Sequence, residues 1–207
     1  MAFGGHRQLE RPDGSTASSW QSFTCGFCGR DATGAVVAIY RWTDNLGRAR
    51  EVHWLACPAC EHGSVMNGSR VDPGMRFGPS LEGLPPNVAA AYQEARECMS
   101  VAAYTSAELV CRKLLMHVGV DKGAKAGESF AHYVDHLASS GYVTPPMKPW
   151  VDLIRKHGNE STHELPAADK DRAEGTVMFT AELLRLVYEM DHMTKKYAAP
   201  NAAITKS

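Results

Sequence analysis

The chain is 207 residues long, 44% hydrophobic and 22% charged, with a formal net charge of -1 at pH 7. That size suits one domain, or a small domain joined to a larger one, and the balanced charge excludes a protein that coats nucleic acid by bulk electrostatics, so any RNA contact must be focal. No stretch approaches the ~18 to 20 apolar residues that span a bilayer, and the start of the chain lacks the apolar segment of a signal peptide, so the expectation is a cytoplasmic protein with no membrane partner.

Residues 1–20 are polar and rich in Gly and Ser, and read as a disordered N-terminal segment. A zinc ribbon is expected over residues 21–63. The runs Cys25-Gly26-Phe27-Cys28-Gly29 and Cys57-Pro58-Ala59-Cys60 each set two thiols at the spacing of a metal knuckle. Each such turn can aim two sulfurs at one ion, and its small residues let backbone amides approach them. Cys25, Cys28, Cys57 and Cys60 are therefore the candidate ligands of one structural Zn²⁺ per chain. A fully thiolate set leaves no open position, so the metal folds the module and does no chemistry. A disulfide pair and a redox dithiol are the competing readings, and His53 or His62 could replace a ligand. Between the knuckles, residues 35–42 and 50–56 are β-prone runs around the turn-like Thr43-Asp44-Asn45-Leu46-Gly47, the layout of a hairpin. Phe27, Tyr40, Trp42 and Trp54 alternate with Arg41, Arg48 and Arg50, a composition that suits base stacking, although aromatics in a small domain more often form its core. Residues 1–76 carry eight basic residues, all of them Arg, and seven acidic ones, so this half is not a polycation.

Residues 64–84 turn to Gly, Pro, Ser and Asn and read as a linker. Helical periodicity then fills residues 85–193. Val88, Tyr92, Ala95, Met99 and Ala102 recur at intervals of three and four, as do Tyr104, Ala107, Cys111, Leu114 and Val118 after a brief break. Phe130, Tyr133, Val134 and Leu137 mark a shorter helix ended by Ser139-Ser140-Gly141. Thr144 precedes a Pro-rich start to a fourth helix, whose buried side is Trp150, Val151 and Ile154. Val177, Ala181, Leu184, Val187 and Tyr188 give the last helix a wide apolar face. Cys98 and Cys111 fall in these patterns as core residues, and residues 194–207 read as a flexible tail. The fold class is thus α+β, a small β-hairpin ribbon followed by an all-α bundle of about five helices.

The fourth helix leads into Arg155-Lys156-His157-Gly158-Asn159-Glu160-Ser161-Thr162-His163. At ~100° per residue, Arg155, Asn159 and His163 fall within roughly 80° of one another if the helix persists, while Trp150, Ile154 and His157 cluster on an apolar face. A permanent cation, an amide and an imidazole on one stripe suit a phosphate or RNA backbone.

The order Leu84-Pro85-Pro86-Asn87-Val88, Tyr92-Gln93-Glu94-Ala95, Ala107-Glu108-Leu109-Val110-Cys111-Arg112-Lys113-Leu114-Leu115 and Ile154-Arg155-Lys156-His157-Gly158-Asn159 with His163 resembles the family called domain of unknown function 4145, over roughly residues 80–192. That family is placed in the HEPN superfamily of small helical bundles. The resemblance implies a HEPN-like fold and a homodimer through the bundle. It also implies a metal-independent endoribonuclease, or a catalytically silent relative that binds RNA or a protein partner, in settings such as phage-host conflict. Active HEPN nucleases pair two Arg/His sites across a dimer. They have a shorter Arg-to-His separation than the seven residues found here, and a polar residue where this chain has Lys156.

If cleavage occurs, His163 moves the proton of a ribose 2′-hydroxyl or of the leaving 5′-oxygen, Arg155 holds the phosphate, and Asn159, with Glu160 in support, orients them. The product would be a 2′,3′-cyclic phosphate. The structural alternatives are equally specific. His163 can cap a helix end, Arg155 can pair with Glu108 or Glu160, and Gly158-Asn159 can end the helix. The separation and the neutral charge favour binding of RNA or a protein partner, whereas the shared stripe favours the nuclease.

Overall fold

The computed structural model describes residues 19–160 and 168–198, without the side chains of residues 155–160. The chain divides into two compact units, Met1–Arg76 and Phe77–Ser207.

The first unit is a five-stranded antiparallel meander: β1 (Trp20–Thr24), β2 (Asp31–Thr43), β3 (Ala49–Ala56), β4 (Gly63–Asn67) and β5 (Arg70–Asp72), each paired with the next in sequence. The expected hairpin is β2 with β3. Its turn is closed by Asp44, whose carboxylate accepts from the backbone N–H groups of Leu46 and Arg48 at 3.0 and 2.9 Å, an Asx-type turn. Strand parity sends Phe23, Val36 and Leu55 inward, where they pack with Cys25 and Cys57 and with the partly buried Ile39, Met66 and Val71. This core is small, so a metal clip would add stability that packing alone gives sparingly in a unit of this size.

Two boundaries differ from the sequence expectation. Trp20, expected at the end of a disordered segment, opens β1 opposite Ala35. The stretch expected as a linker is divided between the units. It contributes β4 and β5 to the sheet, while Phe77, Leu81 and Leu84 pack against the helical core. Its Gly and Pro content marks tight turns and close contacts. A Cβ on Gly26, for example, would lie 2.0 Å from the Pro73 carbonyl oxygen.

The second unit contains α1 (Pro86–Ser100), α2 (Tyr104–Asp121), α3 (Phe130–Ser139), α4 (Lys148–Glu160), and a long final element. That element is α5 (Lys170–Leu184), a π-helical turn (Arg185–Glu189) and α6 (Met190–Tyr197). Pro86 sits in the first turn of α1, where its missing N–H costs nothing. Ser129 caps α3 by accepting from His132 N–H, and Asp169 caps α5 by accepting from Arg172 N–H. The α1 stripe is Val88, Tyr92, Ala95 and Met99. Ala102 lies beyond it, at φ 60 in the bend before α2. α5 is the central helix: Val177, Phe179, Ala181, Leu183 and Leu184 are all essentially inaccessible. Trp150 meets Phe179 edge-on at 5.7 Å, and Val151 and Ile154 are buried, as the α4 pattern predicts. Cys111 is buried in this core and Cys98 packs against it. No helix among the described residues is long and apolar enough to cross a membrane.

Candidate metal centre and the polar block of the fourth helix

Cys25, Cys28, Cys57 and Cys60 come together at the end of the sheet because two loops with the same hydrogen bonding close against each other. In the first, Gly29 N–H donates to Cys25 O at 2.8 Å and Cys25 N–H to Arg30 O at 2.9 Å. In the second, Glu61 N–H donates to Cys57 O at 2.9 Å and Cys57 N–H to His62 O at 3.0 Å. Gly29 and Glu61 hold equivalent left-handed positions, at φ 69 and 63.

The four sulfurs all lie within 4.8 Å of one another, and none is in a disulfide. Cys25 and Cys60 are 3.7 Å apart, and Cys28 and Cys57 are 3.9 Å apart. A tetrahedral ion with metal–sulfur bonds of ~2.3 Å places its sulfurs about 3.8 Å apart, so the set is compatible with a four-coordinate metal that draws its wider pairs inward. Cys25 and Cys57 are buried and Cys28 and Cys60 are partly exposed.

The electrostatics agree with the geometry. Burial raises the Cys25 thiol, but backbone N–H groups of Cys28 and Phe27, helped by the Cys60 and Cys57 sulfurs, bring it from 9.0 down to about 7. Burial pushes Cys57 up, and it pushes Cys60 up to about 12, where the neighbouring sulfurs add to the effect. The Cys57 and Cys60 protons leave only when a cation offsets the gathered negative charge. Neither histidine joins the set. His62 Nδ1 lies 2.8 Å from Cys60 O and its ring stacks on Phe27 at 4.5 Å, while His53 faces Glu51 at 3.1 Å.

Of the polar stripe, Arg155 and Asn159, with Glu160, occupy the last turns of α4, one helical turn separating Arg155 from Asn159. His163 lies outside the described residues. Glu108, a suggested partner of Arg155, is buried and held by Arg172. The guanidinium Nε donates to its carboxylate at 2.7 Å, and Thr176 Oγ1 donates at 3.3 Å. This tie between α2 and α5 was not anticipated, because the sequence separates its partners by more than sixty positions and carries no local signal for the pair. Arg112 lies over the Phe130 ring at 4.4 Å, and burial lowers its pKa.

The aromatics of this unit differ in exposure. Phe27 packs against the core, whereas Tyr40 and Trp54 are exposed and Trp42 is half-buried.

The family described as Domain of unknown function (DUF4145) matches residues 93–202, more than half of the chain, and the chain belongs to that family. No curated protein matches it. No solved structure matches it either.

Proposed function

We propose that this DUF4145 chain is a recognition protein in which a zinc ion folds the sheet unit as a ribbon-like module and the chain binds RNA without cleaving it. The observation that carries this reading is the closed four-thiolate set. Four sulfurs satisfy a tetrahedral ion completely, which suits a structural metal and leaves no site for an activated water. Zinc is the metal of choice because it tolerates an all-sulfur tetrahedron without redox chemistry. The RNA assignment draws on the exclusively Arg-based positive charge of residues 1–76 and on exposed aromatic rings in the same unit. Arginine forks bind phosphate and stack on bases in ways that lysine does not.

The second reading is a HEPN-like bundle acting as a metal-independent endoribonuclease through Arg155 and His163 at a dimer interface, supported by Asn159. The helical placement of Arg155 and Asn159 one turn apart favours it. Fluorescence anisotropy with labelled single-stranded and structured RNA, followed by denaturing gels of the same samples in chelator, separates the two. Saturable binding with the RNA intact is expected. Absence of binding to every RNA would overturn the first reading and leave a protein partner. Conversely, cleavage to a 2′,3′-cyclic phosphate that is lost in both Arg155→Ala and His163→Ala would establish the nuclease.

A further inference from the structure

The outer face of the sheet carries its aromatic rings in a regular arrangement. Cross-strand register sets successive rows on this face: Trp20 beside Ala35 and Ala56, then Ala38 beside Trp54, then Tyr40 beside Val52, then Trp42 beside Arg50. Each of these four rows holds one ring, flanked by a small, aliphatic or cationic side chain. Rows on one face of a strand are about 6.8 Å apart and neighbouring strands about 4.8 Å, so Trp20 on β1, Trp54 on β3 and Tyr40 and Trp42 on β2 spread over three strands of the face. Trp20, Tyr40 and Trp54 are 62%, 59% and 43% exposed, and Tyr40 and Trp42 already stack, with centroids 5.4 Å apart and rings tilted by 24°.

The charge at the Trp42 end suits an anionic backbone. Asp44 accepts from both Arg48 Nε and Arg50 Nε, at 2.9 and 3.0 Å, while Arg41 and Glu51 pair with each other on the opposite face of the sheet. Two guanidinium groups thus face one carboxylate, which leaves one net positive charge beside the last ring. The large hydrophobic side chains exposed on this face are all aromatic, with alanines between the first two rings. Flat rings over small neighbours suit flat bases.

We propose that this face is a stacking platform for single-stranded RNA, with Trp20, Trp54, Tyr40 and Trp42 each taking a base and the arginines of the β2–β3 turn meeting the phosphate backbone. The proposal rests on the RNA-binding reading above and gives that reading its site. Base pairing hides the base faces, so duplex RNA is excluded. Affinity depends weakly on salt because few phosphates are met.

Three of the four tryptophans are on this face and the fourth, Trp150, is in the helical unit. Full-length Trp150→Phe protein is titrated with oligouridylate while tryptophan fluorescence is followed. Quenching is expected, and Trp54→Ala or Tyr40→Ala in the same background should weaken binding roughly 5- to 100-fold. Trp54→Phe should restore most of the affinity. Circular dichroism and metal content of each variant confirm that its fold is retained. Should an alanine variant fail this check, the Phe variant and the quenching of the parent decide the outcome. Binding that survives both alanine substitutions but is lost in Arg155→Ala and Asn159→Ala would overturn the platform while leaving RNA recognition intact. Equal or tighter binding of oligothymidylate would overturn the RNA assignment, and no binding of any oligonucleotide would overturn both proposals.

Discussion

Gly29 and Glu61 occupy the same place in the two cysteine loops, and only one of them is a glycine. A left-handed backbone costs a side-chain-bearing residue roughly 1 to 2 kcal/mol. Gly29→Ala should therefore lower stability by about 1 kcal/mol in urea titration, whereas Glu61→Gly should leave it unchanged or raise it. Equal losses for the two would contradict the equivalence of the loops. Glu108 tests a different cost. Its buried carboxylate meets Arg172, so Glu108→Ala leaves a desolvated cation and should cost about 3 kcal/mol. A loss below about 0.5 kcal/mol, the range of ordinary surface changes, would contradict this. Tyr92 supplies a pH signature. Burial pushes its phenol from 10.0 up to about 12, and its hydroxyl donates to Pro79 O at 2.9 Å. The contribution of the neutral phenol is complete below pH 10 and is lost as pH rises towards 12, because the unfolded chain releases this proton first. The stability gap between wild type and Tyr92→Phe, measured by urea titration, should therefore narrow across that interval. A constant gap would contradict the shift.

At the scale of elements, the helices were legible and the small strands were not. Apolar spacings of three and four located α1 to α5, because each helix must bury a stripe. The π-helical turn at Arg185–Glu189 left no trace, since the apolar pattern runs through it into α6. β4 and β5 escaped because Gly63, Asn67, Gly68 and Ser69 read as loop. The strand state of β4 comes from pairing with β3 and that of β5 from pairing with β4, a tertiary effect that outweighs local propensity. Trp20 was missed for a related reason: Trp20, Ser22 and Thr24 alternate with Phe23, but the polar segment before them masked so short a strand. The cysteine spacing, by contrast, located the cluster of four thiols, because two matched pairs restrict the chemistry more than any periodicity does. Since the sheet and the bundle have separate cores, removal of metal should act on one of them. Cys57→Ser or a strong chelator should abolish the tryptophan near-UV signal of the sheet while helical circular dichroism persists. Simultaneous loss of both signals would contradict this.

At the scale of the molecule, the helical unit presents Leu186, Met190, Met193 and Tyr197 as an exposed stripe at intervals of four, three and four. Such spacing forms one apolar face across the π turn and α6, and a homodimer formed through the bundle is the state we propose for it. Met190→Asp should shift the molecular mass in light scattering from two chains to one, and an unchanged mass would remove this stripe from the interface. In the function we propose, the sheet contributes recognition and the bundle assembly, so that a chain of nearly neutral net charge binds RNA through a small, local site. Native mass spectrometry of the full-length protein mixed with a single-stranded oligouridylate tests this most directly. One zinc per chain and an intact oligonucleotide bound to the assembly are the predicted result. A folded chain without metal, or an oligonucleotide found only as cleaved products, would contradict it.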